Sequence, residues 1–154
     1  MATLEEIRDF LSLKRIAVVG VSRNPKDFTR SLFREFVRRG YDVVPVNPGV
    51  CQLEGRPCYA RFSDVDPPVE AALLLTAPAV TDSVVRDCAD AGVPRVWMYR
   101  GAGAGAVSRQ AVCFCESRGM RVVAGECPFM FFGDVGFPHQ WHAKIRQWRG
   151  RYPR

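Results

Sequence analysis

The sequence predicts a single doubly wound α/β domain, in which helices cover both faces of a mainly parallel sheet of about five strands. Apolar runs of strand length alternate with stretches of helix length. These runs are nearly continuous, which is typical of parallel strands that are buried on both faces. The length of 154 residues also fits one domain, because a chain of that size buries roughly 70% of its unfolded surface. Together these observations indicate a fold of the Rossmann type.

The predicted elements follow one another regularly along the chain. The opening MATLEEIRDFLSLKR mixes acidic and apolar residues at helical spacing and predicts a helix, without the basic and then apolar order of a signal peptide. Five strands are predicted, at 15–20, 41–46, 70–76, 94–99 and 120–124. Helices are predicted at 29–39, 79–91 and 105–118, with a turn-rich passage at 47–68.

Composition favours a soluble cytoplasmic protein. Hydrophobic residues make up 47% and charged residues 25% of the chain, and no apolar run approaches the 18 or more residues that a membrane span requires. Most of the six cysteines lie in apolar stretches and none forms a C-x-x-C pair, so reduced thiols are expected and no metal site is predicted.

The net charge of +6 is concentrated at the C-terminus, because residues 139–154 carry five of the 22 basic residues and none of the 16 acidic ones. We expect residues 1–138 to form the domain and 139–154 to form a basic helix and tail packed on it. A solvated helix face is the favoured interpretation of this charge, and attraction to nucleic acid, to a membrane surface or to phosphorylated small molecules is the alternative. His139 and His142 lie on one face of that helix, where packing is a more common role than catalysis.

In open parallel sheets, ligands bind outside the carboxyl ends of the strands. The loop after the first strand, GVSRNPKDFT, offers Gly20 for a close approach of the backbone, the Ser22 hydroxyl, and free N–H groups before the next helix for a phosphate. Arg23 and Lys26 add positive charge. Only one of the three glycines of a dinucleotide fingerprint is present, so an ordinary surface turn is the alternative.

The second strand ends in Pro45-Val46-Asn47-Pro48, where a dehydrogenase places an acidic residue for the ribose hydroxyls. The neutral amide of Asn47 tolerates a phosphorylated ribose better than a carboxylate does. The sequence therefore favours an adenosine that carries an additional phosphate, which NADP and coenzyme A (CoA) both contain.

Five loop segments of this chain occur in the same order in a known protein family. The segments AVVGVSRNP, GYDVVPVNP followed by GRPCY, LLLTAPAVT, GVPRVWMYRGA and GMRVVAGECPFM resemble the CoA-binding protein family. Its members are small stand-alone relatives of the CoA-binding domain of the succinyl-CoA synthetase alpha subunit. The resemblance spans about residues 12–132.

This resemblance implies a set of cofactor contacts. The CoA phosphates would lie on the first loop, the adenosine 3′-phosphate end beside the second, and the third would pass under the cofactor. The implied residues are Gly20, Val21, Ser22, Arg23, Asn24, Pro25 and Lys26; Pro45, Asn47 and Pro48; and Thr76, Ala77 and Pro78. Val50 stands where the synthetase subunit has a basic residue, so Arg23, Lys26 or Arg30 would supply the charge for the 3′-phosphate.

Cys127 is the residue that the resemblance places near the thioester end of CoA, where a thiol could form a mixed disulfide. A structural cysteine is favoured instead, because free cysteines are commonly buried and no histidine is close in sequence. Glu126 is a conceivable base, although a glutamate at a strand end usually faces water. We therefore expect a non-catalytic binding, sensor or carrier module for CoA or an acyl-CoA.

Two alternatives from other classes stay open. An NADP-binding oxidoreductase would share the fold, although the chain lacks a Tyr-x-x-x-Lys proton donor. A nucleic-acid-binding protein would use the basic C-terminal helix, with Trp141 and Trp148 available for stacking. The apolar segment PFMFFGDVGF at 128–137 is expected to cover the sheet edge or a partner surface, for example in a homodimer, unless it packs under the final helix.

Overall fold

Five parallel strands form the centre of the molecule in a computed structural model, which describes residues 2–133. The strands are β1 (Arg15–Val19), β2 (Asp42–Val46), β3 (Gln52–Leu53), β4 (Arg56–Pro57), β5 (Ala71–Leu74), β6 (Arg95–Tyr99) and β7 (Arg121–Glu126), of which β3 and β4 form a separate antiparallel hairpin. The order in the main sheet is β2-β1-β5-β6-β7. All five predicted strands are present, and their pairing is parallel throughout.

Within residues 2–133, four α-helices cover the two faces of this sheet: α1 (Leu4–Leu11), α2 (Phe28–Arg38), α3 (Pro78–Asp90) and α4 (Arg109–Ser117). Phe10 of α1 and Phe36 of α2 belong to one buried cluster, and Val85 of α3 and Cys115 of α4 belong to another. Alternate side chains of β1 enter the two clusters, Ala17 one and Val18 the other. The fold is therefore α/β and Rossmann-like, as the apolar runs predict.

The strand order reverses between β1 and β5. From β1 the chain runs through α2 to β2 on one side, and β5 then pairs with β1 on its other side. This reversal opens a crevice outside the carboxyl ends of β1 and β5, where ligands of such sheets bind. Pro45 is compatible with β2 because that strand lies at the sheet edge, where a missing N–H costs no ladder bond.

The predicted helix at 105–118 begins later than expected, at Arg109. Residues 100–107 form turns, and Gly105 has φ of +60°, a left-handed conformation that suits glycine. Ser108 then caps the helix by accepting a 3.3 Å hydrogen bond from the N–H of Ala111. Apolar spacing thus predicted the helix, and its cap determined where it begins.

The β3–β4 hairpin lies inside the passage that the sequence predicts only as turn-rich. Glu54 and Gly55 both have positive φ, +51° and +73°, which is the conformation of a two-residue type I′ turn. Strands of two residues are too short to show a periodic pattern, so sequence reasoning missed them.

The part of the apolar segment that the structure describes packs within the domain. Phe129 contacts Phe28, and Phe132 contacts Phe36, with ring centroids 5.6 and 5.3 Å apart. The predicted basic helix at 139–154 and residues 134–137 lie outside the described residues. In residues 2–133, none of the helices combines the length and the apolar composition that membrane crossing demands.

Candidate functional site

The crevice at the strand reversal contains a cavity of about 280 Å³, which we call the switch-point cleft. It brings together four of the predicted site residues from three separate loops: Gly20, Asn47, Pro48 and Thr76. The rest of its lining comprises Val19, Val46, Ala60, Arg61, Phe62, Val80, Ser83, Val84 and Asp87. The cleft thus has apolar walls with polar groups at its mouth, as ligand pockets commonly do.

Gly20 allows β1 to turn close against the end of β5. Its φ is +86°, and a Cβ atom at this position would lie 3.1 Å from the main-chain carbon and oxygen of Leu75. The same Cβ would lie 3.1 Å from Cγ2 of Thr76. A side chain would therefore require both a rare backbone conformation and a displacement of the third loop.

Asn47 joins the loops that follow β1 and β2. Its side-chain amide donates a 3.1 Å hydrogen bond to the carbonyl oxygen of Val21, and its Oδ1 accepts a 3.0 Å bond from the N–H of Gly49. Both polar atoms of the side chain therefore have partners within the protein. These bonds hold Asn47 at the cleft, and each of the two atoms keeps the capacity for one further hydrogen bond. The predicted contact of Asn47 with a sugar or phosphate stays a prediction.

The loop between β1 and α2 does not present the free N–H groups that its sequence suggests. The N–H of Ser22 donates to Oγ1 of Thr29, that of Asn24 to Oγ of Ser22, and that of Lys26 to Oδ1 of Asn24, at 2.9–3.1 Å. The expected open nest is thus wrong for these three groups in the structure. Small polar side chains of the same segment accept the hydrogen bonds of these N–H groups.

At the N-terminus of α2 a side chain of the protein itself accepts a hydrogen bond from a main-chain N–H, whereas the N-terminus of α3 has no side-chain cap. Asp27 caps α2, and hydrogen bonds from the side chain and N–H of Thr29 hold the pKa of its carboxyl below the ordinary value. At α3 the cap residue is Ala77, followed by Pro78 in the first turn. The positive end of a helix beside the cleft is therefore the start of α3.

Thr76 is held by the first turn of α3. Its Oγ1 lies 2.7 Å from Oγ1 of the buried Thr81, which also bonds the carbonyl oxygen of Ala77 at 3.2 Å. These bonds fix the third loop, in which Ala77 is exposed and Pro78 is half-buried.

The positive charges around the cleft differ from the predicted set. Arg30 is paired with Glu54 at 2.6 Å and also donates to the carbonyl oxygen of Arg23, so it serves to join α2 to the hairpin. Arg23 is exposed and its guanidinium lies against Gly49, next to Asn47. Arg61, also exposed, lines the cleft itself. The sequence does not predict Arg61 as a site residue, because it lies in a turn-rich passage and belongs to no recognisable motif.

Cys127 lies at the far edge of the sheet, after β7, and does not line the cleft. Its side chain is buried, and burial raises the pKa of the thiol to about 11. Glu126 beside it is also buried, so the expectation that this carboxyl faces water is wrong. A neutral thiol at physiological pH agrees with the structural interpretation of Cys127.

The other predicted residues lie around the cleft rather than in its lining. Val21 is buried, and Pro45 is buried within β2. The first loop holds Ser22, Arg23, Asn24, Pro25 and Lys26, all outside the lining of the cavity. The cleft therefore unites one residue of the first loop with two of the second and one of the third.

Comparison with known proteins shows similarity over most of the chain. A family model described as "CoA binding domain" matches residues 14–132. The Bacillus subtilis protein YneT is 25% identical over 123 residues, covering 79% of this chain and 88% of YneT. A hypothetical protein from Pyrococcus horikoshii OT3 has a solved structure that is 28% identical, with a TM-score of 0.75, covering 83% of this chain and 92% of that one.

One relative is an enzyme of much greater length. Acetate–CoA ligase [ADP-forming] II of Archaeoglobus fulgidus is 25% identical over 93 residues, which are 59% of this chain and 14% of the ligase. The similarity therefore reaches only a small part of that enzyme.

Proposed function

The chain belongs to the CoA-binding domain family, and we propose on that premise that it binds CoA or an acyl-CoA in the switch-point cleft. The observation that carries the proposal is the meeting of Gly20, Asn47, Pro48 and Thr76 in one cavity at the strand reversal. These residues lie far apart along the chain, and the sequence predicts each of them as a site residue. The position of the cavity also matches the general rule for ligands of open parallel sheets.

The adenosine half of CoA suits this cavity best. A volume of about 280 Å³ lies just below the range of roughly 300–1,000 Å³ for small-molecule pockets, so the cavity would hold only part of CoA. Phe62 and Val80 offer apolar surface for the adenine ring, and Val80 is 49% exposed within the part of the chain that the structure describes. The pantetheine arm would then lie along the outside of the sheet edge.

Two arginines and a helix end would neutralise the phosphates. Arg61 lines the cleft and Arg23 lies beside its mouth, and neither forms an ion pair within the part of the chain that the structure describes. The uncapped start of α3 adds partial positive charge on the third side. We assign the 3′-phosphate to Arg61 and Arg23, in place of the basic residue that Val50 replaces.

The proposed role is that of a non-catalytic binding, sensor or carrier module, or of a partner subunit. Cys127 supports this role. It is the cysteine for which the sequence suggests a reaction with CoA, but its raised pKa disfavours the nucleophilic thiolate. The relationship to part of a CoA ligase is compatible with a module that holds CoA for chemistry performed elsewhere.

Isothermal titration of the reduced protein with CoA, dephospho-CoA, NADP and NAD tests this proposal. We expect CoA to bind and dephospho-CoA to bind about tenfold or more weakly, since a charge-assisted contact contributes roughly 1.5–3 kcal/mol. Binding of NADP without binding of CoA would instead support the oxidoreductase alternative. Equal affinity for CoA and dephospho-CoA would contradict the assignment of the two arginines.

A further inference from the structure

Two cysteines face each other across the β3–β4 hairpin, outside the cleft lining. The pairs Leu53–Arg56 and Gln52–Pro57 are directly opposite in this hairpin, and Cys51 and Cys58 come next after them. The N–H of Cys58 donates a 3.0 Å hydrogen bond to the carbonyl oxygen of Cys51, which confirms that they are opposite. Both are present as free thiols.

This arrangement suits a disulfide. Opposite residues of an antiparallel pair point to the same face, and a hydrogen-bonded pair has Cα atoms about 5.5 Å apart. Disulfides span Cα distances of roughly 4.4–6.8 Å, so the two sulfur atoms can be joined by side-chain rotation with little movement of the backbone. The type I′ turn at Glu54 and Gly55 fixes the register that makes the cysteines opposite.

We propose that Cys51 and Cys58 form a redox-active dithiol that reduces the disulfides of low-molecular-weight thiols. Cys51 loses its proton to water, and its thiolate attacks one sulfur of such a disulfide. The S–S bond breaks, and the first thiol leaves as a thiolate that takes up a proton from water. The Cys58 sulfur, after losing its proton to water, attacks the Cys51 sulfur of the mixed disulfide, and the second thiol leaves. In total the protein dithiol is oxidised by two electrons and the small disulfide is reduced to two thiols.

The surroundings of the two thiols decide the order of these steps. Cys51 is exposed, so a disulfide in solution reaches it first. Cys58 is half-buried against the core on the α1 and α2 face, and burial raises the pKa of its thiol. Cys58 therefore reacts within the protein, where the mixed disulfide on Cys51 is close enough to offset its lower reactivity.

Oxidation also changes a contact of the switch-point cleft. The thiol of Cys58 donates to the carbonyl oxygen of Asn47 at 3.7 Å, and Asn47 lines the cleft. A disulfide has no S–H to donate, so this contact is lost when the pair closes. The proposal of a redox-active dithiol does not rest on the function proposed for the cleft.

The test is peptide mapping by mass spectrometry, without reduction, after incubation of the reduced full chain with glutathione disulfide. We expect the Cys51–Cys58 disulfide to accumulate in the wild-type chain. In Cys58→Ser the reaction stops halfway, so the glutathione adduct on Cys51 increases several-fold over wild type. In Cys51→Ser we expect almost no adduct on Cys58.

Cys113 is the matched control, because it is an exposed cysteine whose neighbour Cys115 is buried. It should carry only a glutathione adduct, and at the same level in all three proteins. A wild-type chain with stable adducts on both Cys51 and Cys113, and no link between Cys51 and Cys58, would overturn the proposal. A reaction at Cys113 alone would overturn the proposal as well. It would show that the glutathione disulfide is active but does not react with Cys51 or Cys58.

Discussion

The amide nitrogen of Asn47 lies 3.1 Å from the carbonyl oxygen of Val21, so that a single side chain at the switch-point cleft joins the loops that follow β1 and β2. Its Oδ1 also closes the turn at Gly49. In a dehydrogenase the residue at this strand end contacts the ribose. Here each polar atom of the side chain has a partner within the protein, and these bonds hold the loops after β1 and β2 together.

Asn47→Asp tests this role directly. The carboxylate can still accept from Gly49, but it cannot donate to Val21 and places a negative charge against that carbonyl oxygen. We expect the free energy of unfolding, measured in urea, to fall by about 1–3 kcal/mol. The control is Asn24→Asp, because Asn24 is exposed and its Oδ1 accepts from Lys26, a bond that aspartate keeps. Equal losses in the two variants would argue against a joining role for Asn47.

Gly20→Ala should cost more stability than Gly40→Ala. Both glycines have positive φ, +86° and +92°, so each substitution carries the left-handed cost of about 1–2 kcal/mol. Only at Gly20 does the new Cβ approach other atoms, at 3.1 Å from Leu75 and Thr76. Thermal unfolding measures both losses, and CoA titration should show weakened binding for Gly20→Ala alone. Similar results for both alanines would show that the close contact is unimportant.

Arg61→Gln is expected to weaken CoA binding by about tenfold and dephospho-CoA binding much less, because in the proposed complex the lost charge faces the 3′-phosphate. Titration calorimetry at one fixed salt concentration provides both affinities. The control is Arg8→Gln, which removes the same charge from an exposed position on α1 that does not line the cleft. A uniform loss for both ligands would show that Arg61 contacts another part of CoA.

Glu54 should make stability depend on pH in the acidic range. Hydrogen bonds from Arg34 and Arg30 hold the pKa of this carboxyl below its ordinary value of 4.5. A lowered folded-state pKa contributes stability that is complete above the unfolded-state value and is lost as the pH falls through the folded-state value. Glu54→Gln should therefore reduce stability at pH 7 by about 1 kcal/mol or less, and this difference should vanish in strong acid.

The comparison for Glu54 is Glu116→Gln, which removes one negative charge from an exposed residue of α4. Urea unfolding at a series of pH values gives both profiles. Parallel profiles for the two variants would mean that the contacts with Arg30 and Arg34 contribute nothing to stability.

Cys127 should resist alkylation in the folded protein. Burial raises the pKa of its thiol to about 11, so little thiolate exists at pH 8, and the side chain is 5% exposed. Iodoacetamide labelling followed by mass spectrometry should modify the exposed Cys113 first and Cys127 only after unfolding in urea. Labelling of Cys127 at the rate of Cys113 would reopen a nucleophilic role for it.

Much of the fold could be predicted because parallel strands in this architecture are buried on both faces and leave nearly continuous apolar runs. The predicted bounds of the first and fourth strands agree to within one residue with β1 (RIAVV) and β6 (RVWMY). Errors occurred where local chemistry outweighs periodicity. Ser108 delays the start of α4, and two-residue strands form the hairpin around Glu54 and Gly55.

By itself, the sequence determined the α/β class, the order of the elements and the loops that meet at the carboxyl end of the sheet, because all three follow from apolar periodicity and chain connectivity. Only the tertiary structure decided which groups are free to act. Asn47 is occupied by Val21 and Arg30 by Glu54, while Arg61 lines the cleft and Cys58 faces Cys51. Such partners are set by strand order and hairpin register, which position residues far apart in sequence and leave no local pattern.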